Sequence, residues 1–109
     1  RLHALADLVQ RYQATVVLKG AGTCISAPDV ESAVICPAGN PGMATGGMGD
    51  VLTGIIDGIL AQGFSIRDAV EAAVDLHSKS ADLMSSEVGE VGLTPSDVIE
   101  GLRILLRYD

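Results

Sequence analysis

Four glycines and one carboxylate are concentrated in the stretch Asn40–Leu52, which reads Asn-Pro-Gly-Met-Ala-Thr-Gly-Gly-Met-Gly-Asp-Val-Leu. An apolar run with helical spacing follows at once. The first turn of a helix has N–H groups without intrahelical partners and the positive end of the helix dipole, so it attracts anions. Gly46, Gly47 and Gly49 remove side chains that would keep a phosphate away, and Thr45 adds a hydroxyl donor. We interpret this stretch as a candidate phosphate site.

Asp50 ends the glycine stretch and does not suit a phosphate site, because a carboxylate repels an anion. The group on which Asp50 would act is more naturally the hydroxyl that accepts a phosphoryl group. Asp50 would take the proton as the oxygen attacks, while N–H groups stabilise the charge on the transferred group. The alternative is structural, since Asp is a favoured N-cap and glycine-rich turns precede many helices. The motif alone leaves both interpretations open.

A second glycine-bearing loop occupies Leu18–Thr23, with the sequence Leu-Lys-Gly-Ala-Gly-Thr. Lys19 stands at the carboxyl end of a predicted buried strand, which is where open α/β sheets place their ligands. Gly20 and Gly22 permit close approach, and Thr23 offers a hydroxyl to a phosphate. Alone, this pattern also fits a lysine that is simply a solvated surface charge. Two phosphate-friendly loops in one short chain together predict a nucleotide site.

The overall charge restricts the kinds of partner. The 109 residues carry a formal net charge of −7 and no cluster of Lys or Arg, which argues against a nucleic-acid or anionic-membrane surface. A phosphate must therefore be held by N–H groups and one or two placed cations. Hydrophobic residues make up 48% of the chain and aromatic residues 3%, so we expect one domain at most, with an aliphatic core.

Two cysteines, Cys24 and Cys36, have neither CxxC spacing nor nearby metal-ligand partners. We expect reduced thiols packed in strands, and hence a cytoplasmic protein. No run reaches the roughly 18 apolar residues of a membrane span. The chain begins with Arg1, and we expect it to be a piece of a longer protein.

The apolar pattern predicts an α/β chain in the order α-β, a β-hairpin and then three helices. The expected helices cover residues 2–12, 50–61, about 66–84 and a segment after residue 94, and the expected strands cover 15–18, 24–26 and 33–36. The first strand lacks alternation, as in a buried parallel strand. The helix over 50–61 is apolar on most faces, so we expect it to be largely buried. Gly54 and Gly58 would let another backbone approach it closely.

Two helix starts carry local signals. Ser65-Ile-Arg-Asp68 is typical of a capping box with Asp in place of Glu. Thr94-Pro95 supplies an N-cap followed by proline at the first helical position.

Several other polar residues favour structural interpretations. His77 lies on the apolar stripe of its helix, and we interpret it as a satisfied core or adenine-lining histidine rather than a metal ligand. Asp75 and Asp82 lie off that stripe and are interpreted as solvated charges. The Asn40 side chain suits either a cap of the turn through Pro41 or a role that holds the loop against the ligand, and we favour the structural role. We expect Met43 to serve in packing.

The run Lys19-Gly-Ala-Gly-Thr23, followed by the whole run Asn40–Gly54, resembles the carboxyl-terminal part of the ADP-dependent NAD(P)H-hydrate dehydratases. Kinases of the same superfamily that act on sugars and vitamins share mainly the terminal Gly-x-Gly-Asp, and Gly92-Leu-Thr-Pro-Ser-Asp97 is a weaker further match. The resemblance implies a ribokinase-like fold. Residues 1–109 would be the carboxyl-terminal portion of one three-layer α/β/α domain, which in this family is often fused to an epimerase domain.

The resemblance also implies a reaction of cofactor repair. ADP phosphorylates the hydroxyl of hydrated NADH or NADPH, phosphate leaves, and the products are NAD(P)H, AMP and phosphate. Asp50 would contact the hydrated nicotinamide and act as the base, and Mg²⁺ is expected with the nucleotide phosphates. The anion hole would be formed by Gly47, Met48 and Gly49, and the AMP portion would contact Lys19, Gly20, Ala21, Gly22, Thr23 and Gly49.

The family's domain is more than twice as long as this chain, so we expect the chain alone to be inactive. Two alternatives stay open. One is an ATP-dependent kinase of the same superfamily that acts on a sugar or vitamin alcohol. The other is a non-catalytic nucleotide-binding module, which would keep Lys19 and the glycines yet tolerate Asp50→Asn.

Overall fold

The computed structural model describes residues 2–19, 22–28, 33–44 and 46–107. Along the chain it has α1 (Leu2–Tyr12), β1 (Val16–Leu18), β2 (Thr23–Ser26), β3 (Val34–Cys36), a 3₁₀ turn (Pro41–Ala44), α2 (Met48–Ala61), α3 (Ile66–Val88) and α4 (Pro95–Arg107). The predicted order of elements is confirmed. None of the helices in these ranges is long and apolar enough to cross a membrane.

The three strands form one antiparallel sheet in the order β1-β2-β3. Ile25 of β2 lies opposite Val17 of β1 on one side and opposite Val34 of β3 on the other. The predicted pairing of β2 with β3 is confirmed. The expectation of parallel pairing for β1 is wrong in the described sheet, because the chain turns back within a few residues, which is too short for a parallel crossover.

The sheet is covered on both faces. Cys24 and Ile25 are consecutive in β2, so their side chains point to opposite faces, yet both are buried. Ile25 and Cys36 pack in one core cluster with Leu52 of α2 and with residues of α3, while α1 contacts β1 and β2. Because the Ile25 face is occupied by α2 and α3, α1 covers the opposite face. Both cysteines are free thiols, as expected.

The starts of α3 and α4 follow their local signals. The Ser65 hydroxyl accepts a hydrogen bond from the Asp68 N–H at 3.1 Å. Thr94 and Asp97 cap each other reciprocally, since the Thr94 N–H donates to the Asp97 carboxylate at 3.0 Å and the Asp97 N–H donates to the Thr94 hydroxyl at 3.2 Å. Both predicted capping residues are confirmed, and they fix where the chain enters the two helices.

The expectation that α2 is largely buried is wrong for the described residues. Only Met48 and Leu52 of this helix are buried, and neither Gly54 nor Gly58 has another atom within 4 Å of the position of an added Cβ. An apolar groove of about 840 Å³ runs between α2, α3 and α4 instead. The aliphatic composition of α2 marks a surface that needs covering, and no described element covers it.

Candidate functional site

The two glycine-bearing loops face one cavity of about 840 Å³. Lys19, Gly22 and Thr23 line it from the β1–β2 side, and the segment 46–49 lines it from the start of α2. The two loops meet because β1 ends and α2 begins at the same end of the sheet. Three residues of these loops, Gly20, Ala21 and Thr45, lie outside the described residues, so the predictions made for them stay predictions.

One close approach across this cavity joins Lys19 to Gly49. A Cβ placed on Gly49 would lie 3.3 Å from the Lys19 ammonium nitrogen. The ammonium therefore lies over the first turn of α2, close enough that a side chain at position 49 would crowd it. A bare backbone and a cation at one place make a surface suited to an anion.

The first turn of α2 is left open by its own N-cap. Gly47 occupies that position with φ +92° and provides no side-chain cap. Glycine adopts this left-handed conformation at little cost, whereas a Cβ there would be strained and would lie 3.0 Å from the Pro95 ring. The N–H groups at the start of the helix thus have no capping side chain among the described residues and point toward the cavity end of the helix axis.

Asp50 lies beside this turn but does not line the same cavity. Its side chain is exposed and lines the groove between α2, α3 and α4, whereas Gly49 lines the cavity with Lys19. Successive residues of a helix are rotated by about 100°, so two neighbours serve two different surfaces. The structure therefore brings Lys19, Gly47, Met48 and Gly49 together and places Asp50 on an adjacent face of the same turn.

Comparison with known proteins decides the family. The family model described as NAD(P)H-hydrate dehydratase matches residues 1–103. This chain belongs to the NAD(P)H-hydrate dehydratase family. It is 49% identical over 106 residues to the bifunctional NAD(P)H-hydrate repair enzyme Nnr of Coxiella burnetii, with 97% of this chain and 22% of that protein covered. It is 41% identical to the ADP-dependent (S)-NAD(P)H-hydrate dehydratase of Neisseria meningitidis, with 96% of this chain and 36% of that protein covered.

The fold agrees with the family. The ADP/ATP-dependent NAD(P)H-hydrate dehydratase of Bacillus subtilis, co-crystallised with ATP and Mg²⁺ and soaked with CoA, superimposes with a TM-score of 0.89 at 33% identity. The alignment covers 98% of this chain and 40% of that one. The chain therefore has part of the ribokinase-like dehydratase fold, as expected, and it spans about a fifth to two fifths of the lengths of these relatives.

In this dehydratase-family chain the cavity differs in charge from the rest of the molecule. The formal net charge is −7, yet the described residues that line the cavity include the Lys19 cation and no carboxylate. The acidic residues lie elsewhere, many of them on exposed helix surfaces such as Asp75, which pairs with Lys79 at 2.9 Å. The local field at the cavity therefore favours an anion although the whole chain is acidic.

His77 of α3 also lines the cavity, and the structure adds a feature that the sequence did not reveal. The residue is buried and lines the cavity, as the expectation of a core or adenine-lining histidine requires, but its Nε2 atom has no hydrogen-bond partner among the described residues. Burial lowers the pKa of His77 below its ordinary value, and the nearby charge of Lys19 lowers it further, while a hydrogen bond with the Met48 backbone opposes both. The imidazole thus contacts the first turn of α2 at Met48 and lines the cavity beside it.

Hydrogen bonds join Asp82 of α3 to the loop that contains Asn40. The expectation that Asp82 is a solvated charge is wrong, because its carboxylate accepts hydrogen bonds from the Gly39 N–H and the Asn40 amide. The Asn40 side-chain oxygen accepts from the Gly42 N–H at 2.9 Å, which confirms its predicted turn-capping role. Both partners of Asp82 line the cavity. No local signal pointed to Asp82, since its partners lie about forty residues earlier.

Proposed function

We propose that the protein carrying this chain is an ADP-dependent NAD(P)H-hydrate dehydratase, a hydro-lyase that repairs hydrated NADH and NADPH. Residues 1–109 would form the carboxyl-terminal portion of its ribokinase-like domain. The single observation that carries the proposal is the position of the Lys19 ammonium over the uncapped first turn of α2, 3.3 Å from a Cβ on Gly49. The Neisseria meningitidis relative, which bears this name, matches 96% of the chain, and the Coxiella burnetii repair enzyme matches 97% of it.

The cavity beside Lys19 would hold the nucleotide. The Lys19 ammonium would balance phosphate charge, and the backbone at Gly47, Met48 and Gly49 would form the anion hole. These N–H groups are already oriented by the helix, so they need no reorganisation as charge gathers on the transferred phosphoryl group. Thr23 and Gly22 would contact the AMP portion from the opposite side, together with Gly20 and Ala21.

Asp50 would act on the hydroxyl of the hydrated nicotinamide from the adjacent face of the first turn of α2. As the ring hydroxyl of the hydrate attacks the β-phosphorus of ADP, the Asp50 carboxylate takes the hydroxyl proton. The bond between that phosphorus and the AMP oxygen breaks, and AMP leaves. The phosphorylated ring then loses phosphate from one carbon and a proton from the next, which restores the double bond of NAD(P)H. Gly49 and Asp50 lie on adjacent faces of one helical turn, which supports a phosphoryl donor and a phosphoryl acceptor that meet at this turn.

Magnesium would accompany the nucleotide rather than occupy a protein site. No group of three or more His, Cys, Asp and Glu side chains within the described ranges could hold a metal ion. Mg²⁺ commonly keeps several waters and binds through substrate phosphates with few protein ligands. Such an ion neutralises phosphate charge during transfer. The cavity fits this arrangement because its described lining leaves the phosphates free of competing carboxylates.

The deciding experiment follows the near-ultraviolet absorbance of reduced nicotinamide when the full-length protein meets NADH hydrate, Mg²⁺ and ADP. We expect a rise that requires ADP and releases one AMP for each NADH formed. A parallel reaction with ATP tests the other donor and should release ADP. If the folded protein binds nucleotide but forms no NADH, the proposal fails. Phosphorylation of a sugar or vitamin alcohol by ATP would then favour the kinase, and no transfer at all would favour the non-catalytic module.

A further inference from the structure

A carboxylate behind the cavity holds one of its walls. The Asp82 side chain, half-buried on α3, accepts a hydrogen bond from the Gly39 N–H at 2.9 Å through Oδ2 and another from the Asn40 amide nitrogen at 2.8 Å through Oδ1. All three ion pairs found among the described residues lie within single helices, and none includes Asp82. Its charge is therefore stabilised by loop donors rather than by a cation.

Asn40 links Asp82 to the 3₁₀ turn through a further hydrogen bond. Its side-chain oxygen accepts from the Gly42 N–H at 2.9 Å, and its amide nitrogen also lies 3.3 Å from the Ser85 hydroxyl. That hydroxyl donates to the Asp82 backbone carbonyl at 3.0 Å, so it can accept from Asn40. Each end of the amide has a matching partner, which leaves only one orientation for the Asn40 side chain.

The segment held in this way is the cavity wall between β3 and α2. Gly39, Asn40, Pro41, Met43 and Ala44 all line the cavity that contains Lys19. This segment is outside the sheet and forms only a short 3₁₀ turn, in which the Met43 N–H donates to the Asn40 carbonyl at 3.1 Å. On its far side Gly42 packs so tightly that an added Cβ would lie 2.5 Å from the Glu90 carbonyl oxygen. The wall therefore has little regular structure of its own and is located by side chains.

We propose that Asp82 is a positioning residue of the nucleotide cavity. Its carboxylate, acting through Asn40, holds the Gly39–Ala44 wall at the distance from the first turn of α2 that a bound nucleotide requires. This role rests on the proposed function, because it assumes that the cavity binds ADP. It requires Asp82 to be an acceptor for two donors and Asn40 to be both donor and acceptor.

A reciprocal exchange tests these requirements in the full-length protein. In Asp82→Asn the introduced amide nitrogen opposes that of Asn40, or else the Gly39 N–H loses its acceptor. In Asn40→Asp two carboxylates face each other. The double variant Asn40→Asp/Asp82→Asn restores both hydrogen bonds, because the amide oxygen at position 82 accepts from the Gly39 N–H and the amide nitrogen donates to the carboxylate at position 40. The carboxylate at position 40 still accepts from the Gly42 N–H.

The readouts are the Kd for Mg·ADP by calorimetry and, separately, the midpoint of thermal unfolding. Each single variant should weaken ADP binding by about tenfold or more, because hydrogen bonds to charged groups are the stronger ones. The double variant should return to within about threefold of the parent. The control Asp75→Asn makes the same chemical change at an exposed carboxylate of α3 and should leave the Kd unchanged.

The outcomes separate this inference from the proposed function. If the parent binds ADP and the folded single variants bind it equally well while unfolding at lower temperature, Asp82 is structural only and the positioning role is overturned. A folded double variant that stays as weak as the singles overturns it too, even where a single variant fails to fold. If the parent itself binds no ADP, the proposed function fails and this role fails with it.

Discussion

The ammonium nitrogen of Lys19 lies 3.3 Å from the place that a Cβ of Gly49 would occupy. The two residues belong to different parts of the chain, one at the end of β1 and the other in the first turn of α2. A side chain at position 49 would crowd the ammonium, which would have to shift by a few tenths of an ångström. The same approach concentrates positive charge in an otherwise acidic chain.

Gly49→Ala should separate ligand binding from stability. Alanine is favoured over glycine in a helix by up to about 1 kcal/mol, so the protein should not lose stability. The methyl group would push the Lys19 ammonium away and narrow the phosphate site, so we expect the Kd for ADP to rise by about tenfold or more. Gly58→Ala is the matched control, since an added Cβ there meets nothing within 4 Å. Equal ADP affinity in both variants would contradict the assigned position of the phosphate.

Asp50→Asn should remove turnover and spare nucleotide binding. Loss of a general base costs about 10²–10⁴-fold in rate, and Asp50 does not line the cavity assigned to the nucleotide. NADH formation from the hydrate measures the first effect, and calorimetry with ADP measures the second. Asp57→Asn changes another exposed carboxylate of α2 and should be active. Near-normal turnover by Asp50→Asn would exclude the carboxylate as the base.

His77 should make stability fall in mild acid. Burial, and then Lys19, lower its pKa in the folded state below the ordinary 6.5, whereas the unfolded chain binds a proton near that value. The unfolded state therefore holds more protons in the window between 6.5 and the lowered pKa, and the free energy of unfolding decreases as the pH falls through that window. One group contributes at most about 1.4 kcal/mol per pH unit.

Denaturant unfolding of His77→Gln and of the parent between neutral pH and mild acid measures this effect. We expect the slope of stability against pH to be smaller in the variant across the window below 6.5. His3→Gln replaces an exposed histidine of α1 and should retain the parent's slope. Parallel curves for His77→Gln and the parent would show that the buried imidazole does not carry the linkage.

Gly101→Ala should destabilise the protein through the packing of α3 on α4. An added Cβ would lie 2.8 Å from the Ser80 carbonyl oxygen and 2.7 Å from Met84 Cγ, so the two helices would have to move apart. Overpacking of this kind costs about 1–3 kcal/mol, measurable by denaturant unfolding. Met84→Ala in the same chain should restore only part of the loss, because the contact with the backbone oxygen remains. Gly54→Ala, with open space around it, is the control.

The parts of the structure that could be predicted from the sequence have causes within a few residues. Ser65 and Thr94 begin their helices because each hydroxyl accepts from an N–H three residues later. The Asn40 turn likewise depends on a bond to Gly42. The strands followed from β-branched runs bounded by glycine and proline. Competition between backbone and nearby side-chain hydrogen bonds decides such features, so a short window of sequence contains the information.

Predictions that depended on surroundings were less reliable. The composition of α2 correctly indicated an apolar helix, but it could not specify which of its faces the described residues would cover. His77 was correctly placed inside, yet the missing partner of Nε2 depends on where β1, α2 and α3 leave space. Asp82 looked like an ordinary helix-surface charge because its spacing within α3 contains no information about a loop that is 43 residues away in sequence and packs against it.

The sequence by itself determined the family, the order of the elements and the two loops that could bind phosphate, because motif residues and short-range sterics are written in consecutive positions. Only the tertiary structure decided that Lys19 rests over Gly49, that Asp50 turns to a different surface, and that Asp82 holds the opposite wall. These relations join residues some thirty to forty positions apart. They arise from how a sheet and three helices pack, since the packing minimises exposed apolar surface and unpaired polar groups over the whole chain at once.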